Sequence, residues 1–331
     1  MNVTEEGQNG SRIASFDLKA YIDIARPDHW FKNVFMLLGV VLAFFIQPDL
    51  VYDGWFTLLV LGLVSVCLVS SSNYVINEVL DAPRDALHPV KCRRPVPSGR
   101  VSTRVAYAEW LLLAALGLGI AWQINLPFFF SALCLWLAGM AYNIPPVRTK
   151  DVPYLDVLSE SINNPLRLFM GWFVLIPHHF PPLSLVCAYW MVGAFFMGAK
   201  RFAEYRMIGN AEVAGNYRES FKHYTADTLV ISLFFYATAC AFFFGIFVIR
   251  YHLELILAVP VFAGFFAYYM KIAFKKDSPV QNPERLYREK KFMIYLIGSC
   301  VIFVVLLFTR IEFMYELFNV ISYKLKPLWS F

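Results

Sequence analysis

Charged residues are scarce in this sequence. Asp, Glu, Lys and Arg make up 16% of its 331 residues, whereas a soluble domain carries about 25%. Hydrophobic residues make up 59%. The charges occur in clusters separated by long uncharged tracts, which is the pattern of a protein that crosses a membrane several times. The composition therefore excludes an ordinary soluble domain and predicts an all-α polytopic membrane protein.

Several motifs common in soluble enzymes are also missing. The six cysteines show no paired spacing, which argues against a disulfide framework or a zinc site. The sequence has no Gly-rich phosphate loop, no nucleophile–base–acid arrangement and no nucleic-acid-binding motif. We therefore expect any reaction that this protein catalyses to be assisted by a metal ion.

Nine apolar tracts follow one another along the chain, most of them near the roughly 20 residues that cross a bilayer. They cover residues 31–47, 55–77, 106–123, 127–143, 157–177, 183–199, 228–249, 252–271 and 292–309. No internal repeat and no linker marks a second domain. The sequence predicts a polar N-terminal tail at 1–18 and a single bundle of nine transmembrane helices at 19–331.

Basic residues orient the predicted bundle. The loops after tracts 2, 4, 6 and 8 hold most of the Lys and Arg residues, whereas those after tracts 1, 3, 5 and 7 hold only Arg250. Because basic loops remain in the cytoplasm, the N-terminal tail and the long polar loops are expected there. An integral protein of a bacterial inner membrane is the expected location.

The end of tract 2 carries the clearest candidate site. Asn77, Asp81 and Asp85 are spaced i, i+4 and i+8, so a helix places them on one face. Carboxylates at this spacing suit Mg²⁺, which takes phosphate oxygens and waters as further ligands. Lys91 and Arg94 follow and can bind phosphate. This stretch predicts a Mg²⁺-diphosphate site at the membrane edge.

Tract 5 carries charges that a membrane-facing helix would avoid. Asp156, Glu160, Asn163 and Arg167 fall in one stripe of a continuous helix. Such groups usually face the bundle interior and mark a functional path. The alternative is a polar network, centred on Asp156 or joining Glu160 to Arg167, that only holds helices together.

Polar residues near the ends of other tracts complete the candidate set. The loop before tract 5 offers basic side chains that would serve either as phosphate ligands or only as orientation signals, and the end of tract 6 offers a charged turn. Residues 21–33 are either an interfacial anchor or part of the site. The candidates are Tyr142, Arg148, Lys150, Lys200, Arg201, Glu204, Lys32 and Asn33.

These residues resemble those of the UbiA superfamily of intramembrane prenyltransferases. The motif N77-x3-D81-x3-D85 is similar to its first aspartate-rich motif. RPDHWFKN (26–33), HPVKCRRPVPSG (88–99), KRFAE (200–204) and YRESFKHYTAD (217–227) are most like its polyprenyl-phosphate phosphoribosyltransferase branch.

The sequence departs from that branch in several places. Glu78 stands where the branch usually has Asp, and Pro83 is expected to interrupt the helix before Asp85. YNIPPVRTK (142–150) is closer to the prenyl-transferring members. The second aspartate-rich motif of ordinary prenyltransferases is missing after tract 6.

The resemblance implies Mg²⁺ held by Asn77, Asp81 and Asp85. It implies phosphate binding by Lys91, Arg94, Arg148, Lys150, Lys200 and Arg201, and sugar orientation by Asp156 and Arg167. The favoured reaction moves 5-phosphoribosyl from phosphoribosyl diphosphate to a membrane polyprenyl phosphate. Transfer of a prenyl group from a prenyl diphosphate to an aromatic or polar acceptor is the main alternative, and a lipid transporter or lipid-binding protein is a remote one.

Overall fold

A computed structural model describes residues 17–50, 54–86, 91–281 and 283–318, without the side chains of 283–285. All regular elements in these ranges are helical. The fold is all-α, as the composition predicts. Nearly all of the predicted tail at 1–18 lies outside the described residues, and so do residues 88–90 of the basic loop.

The helices follow the apolar tracts closely. The α-helices are α1 (Leu18–Ile24), α2 (Leu37–Ile46), α3 (Trp55–Asp85), α4 (Thr103–Ile124), α5 (Leu126–Asn143), α6 (Leu155–Ser161), α7 (Asn163–Leu175), α8 (Leu183–Ile208), α9 (Ala211–Tyr217), α10 (Ala226–Tyr251), α11 (Val259–Ala273), α12 (Lys290–Leu307) and α13 (Glu312–Leu317). Short 3₁₀ segments connect several of them, at Pro27–Met36, Lys91–Arg93, Thr149–Asp151, Glu219–His223, Leu253–Ala258, Pro279–Gln281 and Pro283–Arg288.

Eight helical segments of the described chain are long and apolar enough to cross a membrane. The predicted tract 157–177 is absent from this set because it forms two shorter helices, α6 and α7. The prediction of nine membrane crossings therefore stays a prediction. The predicted polar stripe is divided between the two helices, with Asp156 and Glu160 on α6 and Asn163 and Arg167 on α7. The backbone of Ile162 between them stays in the right-handed helical region.

Proline explains the break between α6 and α7. Pro165 has no N–H to donate to the carbonyl of Ser161, and its ring would clash with that carbonyl in a regular helix. The chain leaves helical assignment at Ile162 and restarts at Asn163. Pro83 behaves differently, since α3 continues through it to Asp85. The expected interruption of α3 at Pro83 does not occur.

The core consists of two large apolar clusters. One contains Met36, Phe128, Leu168 and Trp172 and joins α2, α3, α5 and α7. The other contains Phe195, Phe202, Leu233 and Tyr269 and joins α6, α8, α10 and α11. Most of the polar candidates lie at the C-terminal end of α3, in the loop after α5 and around the start of α6.

Two glycines allow α2 and α7 to cross with their backbones in contact. A Cβ atom on Gly171 would lie well inside van der Waals distance of the Met36 carbonyl oxygen, and one on Gly39 would meet the Leu168 carbonyl in the same way. Small residues permit this close packing in membrane bundles. This crossing fixes the position of α7 against α2, and Arg167 lies on α7.

We expect Gly171→Ala to destabilise the protein by about 1–3 kcal/mol or more, because the backbone atoms that the new methyl group would meet have little freedom to move. Gly119→Ala is the matched control, since a Cβ at Gly119 on α4 meets nothing within 4 Å. Thermal unfolding of both variants in detergent checks this. Equal midpoints for the two variants would contradict the close crossing.

Candidate active site

The C-terminal end of α3 brings the predicted aspartates to the polar end of the bundle. Oδ1 of Asp81 accepts hydrogen bonds from Nζ of Lys150 at 2.6 Å and from Nη2 of Arg148 at 3.0 Å. Both donors belong to the loop after α5, so this loop folds back over α3. Oδ2 of Asp81 accepts no hydrogen bond from the described residues, and the side chain is 23% exposed.

Asn143 links the remaining residue of the motif to the same network. Its Oδ1 accepts from Nδ2 of Asn77 at 2.5 Å and from Nζ of Lys150 at 2.9 Å. Asn77 and Asp81 are thus connected through one lysine and one buried amide. Burial lowers the pKa of Lys150, while contact with Asp81 opposes that shift and favours the charged form.

Asp85 faces a different set of cations. It is buried and pairs with Nη1 of Arg94 at 2.6 Å and with Nζ of Lys91 at 3.7 Å. Burial lowers the pKa of Lys91, and the charge of Asp85 acts against this. Asp81 and Asp85 therefore lie on one helix end but hold separate basic partners. We call Asn77, Asp81 and Asp85, with Lys91, Arg94, Arg148 and Lys150, the aspartate cluster.

Glu78 explains how the basic loop is held. Its buried carboxylate accepts the N–H of Val96 at 3.1 Å and lies 3.9 Å from Nη2 of Arg26. The extra methylene of Glu relative to Asp thus reaches the loop at 91–100. This loop in turn carries Lys91 and Arg94 to Asp85.

A second polar cluster surrounds the start of α6. Asp156 is fully buried and accepts hydrogen bonds from the hydroxyls of Tyr224 at 2.8 Å and Ser220 at 3.1 Å. Nε of Arg201 lies at 3.3 Å and Nε of Arg218 at 3.4 Å. Both carboxylate oxygens are therefore engaged, and the side chain has no surface for a substrate.

Arg201, on α8, pairs with three carboxylates on two helices in this second cluster. It pairs with Asp156, with Glu160 and, at 3.2 Å, with Glu204. The hydroxyl of Tyr142 donates to Glu160 at 3.1 Å and accepts from Nη2 of Arg218 at 3.0 Å. We call Asp156, Glu160, Arg201, Glu204 and Arg218 the arginine cluster, and Tyr142 connects it to Lys150, whose Nζ lies 5.9 Å from the ring centre.

Lys200 and the residues near the N-terminus lie apart from these pairs. Lys200 forms no hydrogen bond or ion pair with any residue in the described ranges, although its charge acts on Glu160. Arg167 is buried and donates from Nε to Oδ1 of Asn33 at 3.0 Å. Lys32 lies over the ring of Phe31 at 5.8 Å. The Glu160–Arg167 pairing, one form of the alternative structural network, does not occur among the described residues, where Glu160 pairs with Arg201.

Backbone strain is concentrated at this end of the described chain. Its three non-glycine residues with positive φ are Arg26 at 49°, Arg148 at 26° and Tyr154 at 65°. Arg26 contacts Glu78, Arg148 contacts Asp81, and the N–H of Tyr154 donates to the Tyr224 hydroxyl. Such strain persists where surrounding contacts enforce it, as in functional sites.

The donor atoms suit a hard divalent cation, although no group of three His, Cys, Asp or Glu residues within the described ranges forms a ready metal site. The aspartate cluster offers carboxylate and amide oxygens, including Oδ2 of Asp81. Mg²⁺ usually binds through one or two carboxylates and completes its shell with water and substrate phosphates. The residues therefore fit Mg²⁺ bound together with a diphosphate.

The described residues form an all-α bundle whose carboxylates and basic side chains collect in two clusters, an arrangement that fits an intramembrane enzyme. The chain belongs to the UbiA prenyltransferase family, whose sequence model matches residues 33–297. It is a membrane-bound transferase of this family. The resemblance inferred from the sequence motifs is confirmed.

Known relatives include both branches of the family. The chain is 26% identical over 257 residues to decaprenyl-phosphate phosphoribosyltransferase of Mycolicibacterium smegmatis, covering 74% of this chain and 75% of that protein. It is 32% identical over 125 residues to digeranylgeranylglyceryl phosphate synthase of Korarchaeum cryptofilum, covering 38% and 41% of the two proteins.

A solved structure shares the fold. A UbiA homologue from Archaeoglobus fulgidus bound to GPP and Mg²⁺ superposes with a TM-score of 0.65 at 21% identity, covering 88% of this chain and all of that one. The same homologue has also been solved with DMAPP and Mg²⁺ and with Cd²⁺.

Arg218 of the arginine cluster and three polar residues that contact the clusters, Asn143, Ser220 and Tyr224, were outside the predicted set. No local spacing signals these long-range contacts, and the available signal was that the four residues lie in the segments 142–150 and 217–227. Glu160 lay on the predicted polar stripe but was not selected as a site residue. Its place on that stripe was the sequence signal that would have identified Glu160 as a site residue.

We expect Asp156→Ala to lower the free energy of unfolding by about 1.5–3 kcal/mol or more, because it removes the carboxylate that pairs with Arg218 and one of the three that pair with Arg201. Thermal unfolding in detergent without substrate measures this. Glu212→Ala, which removes an exposed carboxylate at the start of α9, is the control and should change stability by less than about 0.5 kcal/mol. Similar stability of the two variants would mean that Asp156 does not hold the arginine cluster together.

Proposed function

We propose that this protein transfers a 5-phosphoribosyl group from phosphoribosyl diphosphate to a polyprenyl phosphate in the membrane. The observation that carries the proposal is the number of basic side chains around the aspartate cluster, together with Lys200. Phosphoribosyl diphosphate has a 5-phosphate in addition to its diphosphate, so its site needs more cationic donors than a prenyl diphosphate requires. The similarity to decaprenyl-phosphate phosphoribosyltransferase over three quarters of that protein supports this choice.

Asn77, Asp81 and Asp85 would hold Mg²⁺ at the aspartate cluster. When bound, the ion would neutralise negative charge on the diphosphate leaving group. Lys150 and Arg148 keep Asp81 in place through its Oδ1, which leaves Oδ2 for the ion. Asp85 is held differently, since Lys91 lies near its Oδ1 and Arg94 contacts its Oδ2.

The basic residues of the aspartate cluster would bind the diphosphate. Lys91, Arg94, Arg148 and Lys150 lie around the two aspartates, where they stabilise charge that develops on the leaving group. Lys200, which has no ion-pair partner among the described residues, would bind the 5-phosphate. Arg201 has its guanidinium taken up by three carboxylates, so its role would be to position Glu160.

The transfer step needs no proton movement at the acceptor. The bond between C1 of the ribose and the diphosphate oxygen breaks, and an oxygen of the lipid phosphate forms the new bond to C1. The lipid phosphate is anionic near neutral pH and needs no general base. The absence of a need for a general base agrees with the burial of Asp156, which is closed to substrate.

The lipid tail would lie along the apolar surface beside α6 and α10. A cleft of about 310 Å³ is found there, lined by Tyr154, Leu158, Ile231, Phe235 and Tyr236 among others. Tyr154 also contacts Tyr224, which donates to Asp156. The cleft is therefore next to the arginine cluster.

Prenyl transfer to an aromatic or polar acceptor is the second candidate. It is favoured by the YNIPPVRTK segment, since Arg148 and Lys150 of that segment contact Asp81 directly. The similarity to digeranylgeranylglyceryl phosphate synthase supports it over a shorter part of the chain. Membership of a transferase family argues against the transporter alternative.

The distribution of basic residues supports a cytoplasmic site. Both clusters lie at the end of the bundle that carries the basic loops at 91–104, 148–150 and 200–222. Basic loops remain in the cytoplasm, so phosphoribosyl diphosphate would enter from that side of a bacterial inner membrane.

We expect purified protein with Mg²⁺ to transfer radiolabel from phosphoribosyl diphosphate to a polyprenyl phosphate, measured by extraction of labelled lipid. Prenyl diphosphates should remain unconsumed when an aromatic acceptor is supplied. The reason is that the site carries more basic side chains than a prenyl diphosphate requires, which favours the donor with the additional phosphate. The reverse result would favour the prenyl-transfer candidate.

We expect Asp81→Ala to lower kcat by at least about 100-fold, because it removes a metal ligand and releases Lys150 and Arg148. Asp85→Ala should have a smaller effect, since its burial against Arg94 favours a supporting role. A chelator should abolish activity, and Mg²⁺ should restore it. Glu312→Gln, which changes an exposed carboxylate paired with Arg310, serves as the control with normal activity. Full activity of Asp81→Ala would remove this residue from the site.

A further inference from the structure

Glu160 differs from the other two carboxylates around Arg201. Its side chain is 28% exposed, against 0% for Asp156 and 13% for Glu204. The Arg201 guanidinium and the Tyr142 hydroxyl both donate to its Oε2. Its Oε1 accepts no hydrogen bond from any residue in the described ranges. Glu160 therefore offers one fixed, accessible carboxylate oxygen.

Tyr142 places this oxygen close to the aspartate cluster. The Tyr142 hydroxyl contacts Glu160, and the Tyr142 ring lies 5.9 Å from Nζ of Lys150, which is bonded to Asp81 at 2.6 Å. One aromatic side chain thus separates Glu160 from the basic residues that surround Asp81. A substrate whose diphosphate is bound at Asp81 would extend the next part of its structure towards Glu160.

We infer that Oε1 of Glu160 accepts a hydrogen bond from the 2- or 3-hydroxyl of the ribose ring of the donor, an inference that rests on the proposed phosphoribosyl transfer. An ionised carboxylate is an acceptor only, and sugar hydroxyls are its natural donors. A phosphate group would be repelled at this position. A prenyl chain has no donor and would leave the oxygen unpaired.

The family resemblance implies Asp156 and Arg167 as the residues that orient the sugar, but both are buried and hold other partners. Both oxygens of Asp156 are occupied, and the residue is fully buried. Arg167 is directed towards Asn33 on the other side of the helix break. Glu160 is the carboxylate of α6 that reaches the site, with Arg201 and Tyr142 as its positioning residues.

The experiment compares phosphoribosyl diphosphate with its 2-deoxy and 3-deoxy analogues in wild-type protein and in Glu160→Ala. We expect the wild type to prefer the natural donor over one analogue by roughly 10- to 100-fold in kcat/KM, the value of a hydrogen bond to a charged group. Glu160→Ala should lose most of this preference. Any intrinsic difference in reactivity between the donors cancels when the two ratios are compared.

Glu204→Gln is the matched control, because it alters another carboxylate partner of Arg201 and should keep the wild-type preference ratio. Glu160→Gln is the second variant if Glu160→Ala does not fold, and it should reduce the preference about 10-fold because its amide is a neutral acceptor. Wild-type turnover with an unchanged ratio in the Glu160 variants would overturn the assignment of Glu160 alone. Absence of wild-type turnover of phosphoribosyl diphosphate would overturn the proposed function together with this assignment.

Discussion

A buried guanidinium at the edge of a membrane must be neutralised, and Arg201 meets this requirement with three carboxylates. The cost of removing a charge from water is several kcal/mol, and it is offset only when nearly every donor has a good partner. Asp156, Glu160 and Glu204 provide these partners from α6 and α8. Because Asp156 also binds Arg218, Ser220 and Tyr224, the segment after α9 is attached to the same centre.

The same requirement explains why the two clusters have different characters. In the arginine cluster the charges are largely satisfied by one another, and Glu160 retains one accessible oxygen. In the aspartate cluster the Asp81 side chain is 23% exposed, and its two basic partners share a single oxygen. The first arrangement is suited to fixing the position of side chains. The second is suited to binding an ion and a phosphorylated ligand.

Much of the fold follows from local patterns in the sequence. Apolar tracts predict the long helices because a helix in a bilayer must satisfy its own backbone and bury few charges. The NxxxDxxxD spacing similarly placed Asn77 and Asp81 in one network. Long-range contacts were not predictable in this way: Asn143, Arg218 and Tyr224 have no spacing that links them to their partners. The separation of Arg167 from Asp156 did have a signal, Pro165, but its effect on the direction of the stripe depends on tertiary packing.

The break at Ile162 also has a mechanical consequence. α6 packs mainly against α8, whereas α7 packs most closely against α2, through the Gly39–Gly171 crossing. A continuous helix would act as a stiff rod and would transmit any bending of one core to the other. This helical tract lacks one backbone hydrogen bond, the one that Pro165 cannot donate to the Ser161 carbonyl, so bending costs least at that point. Glu160 lies on one side of this point and Arg167 on the other.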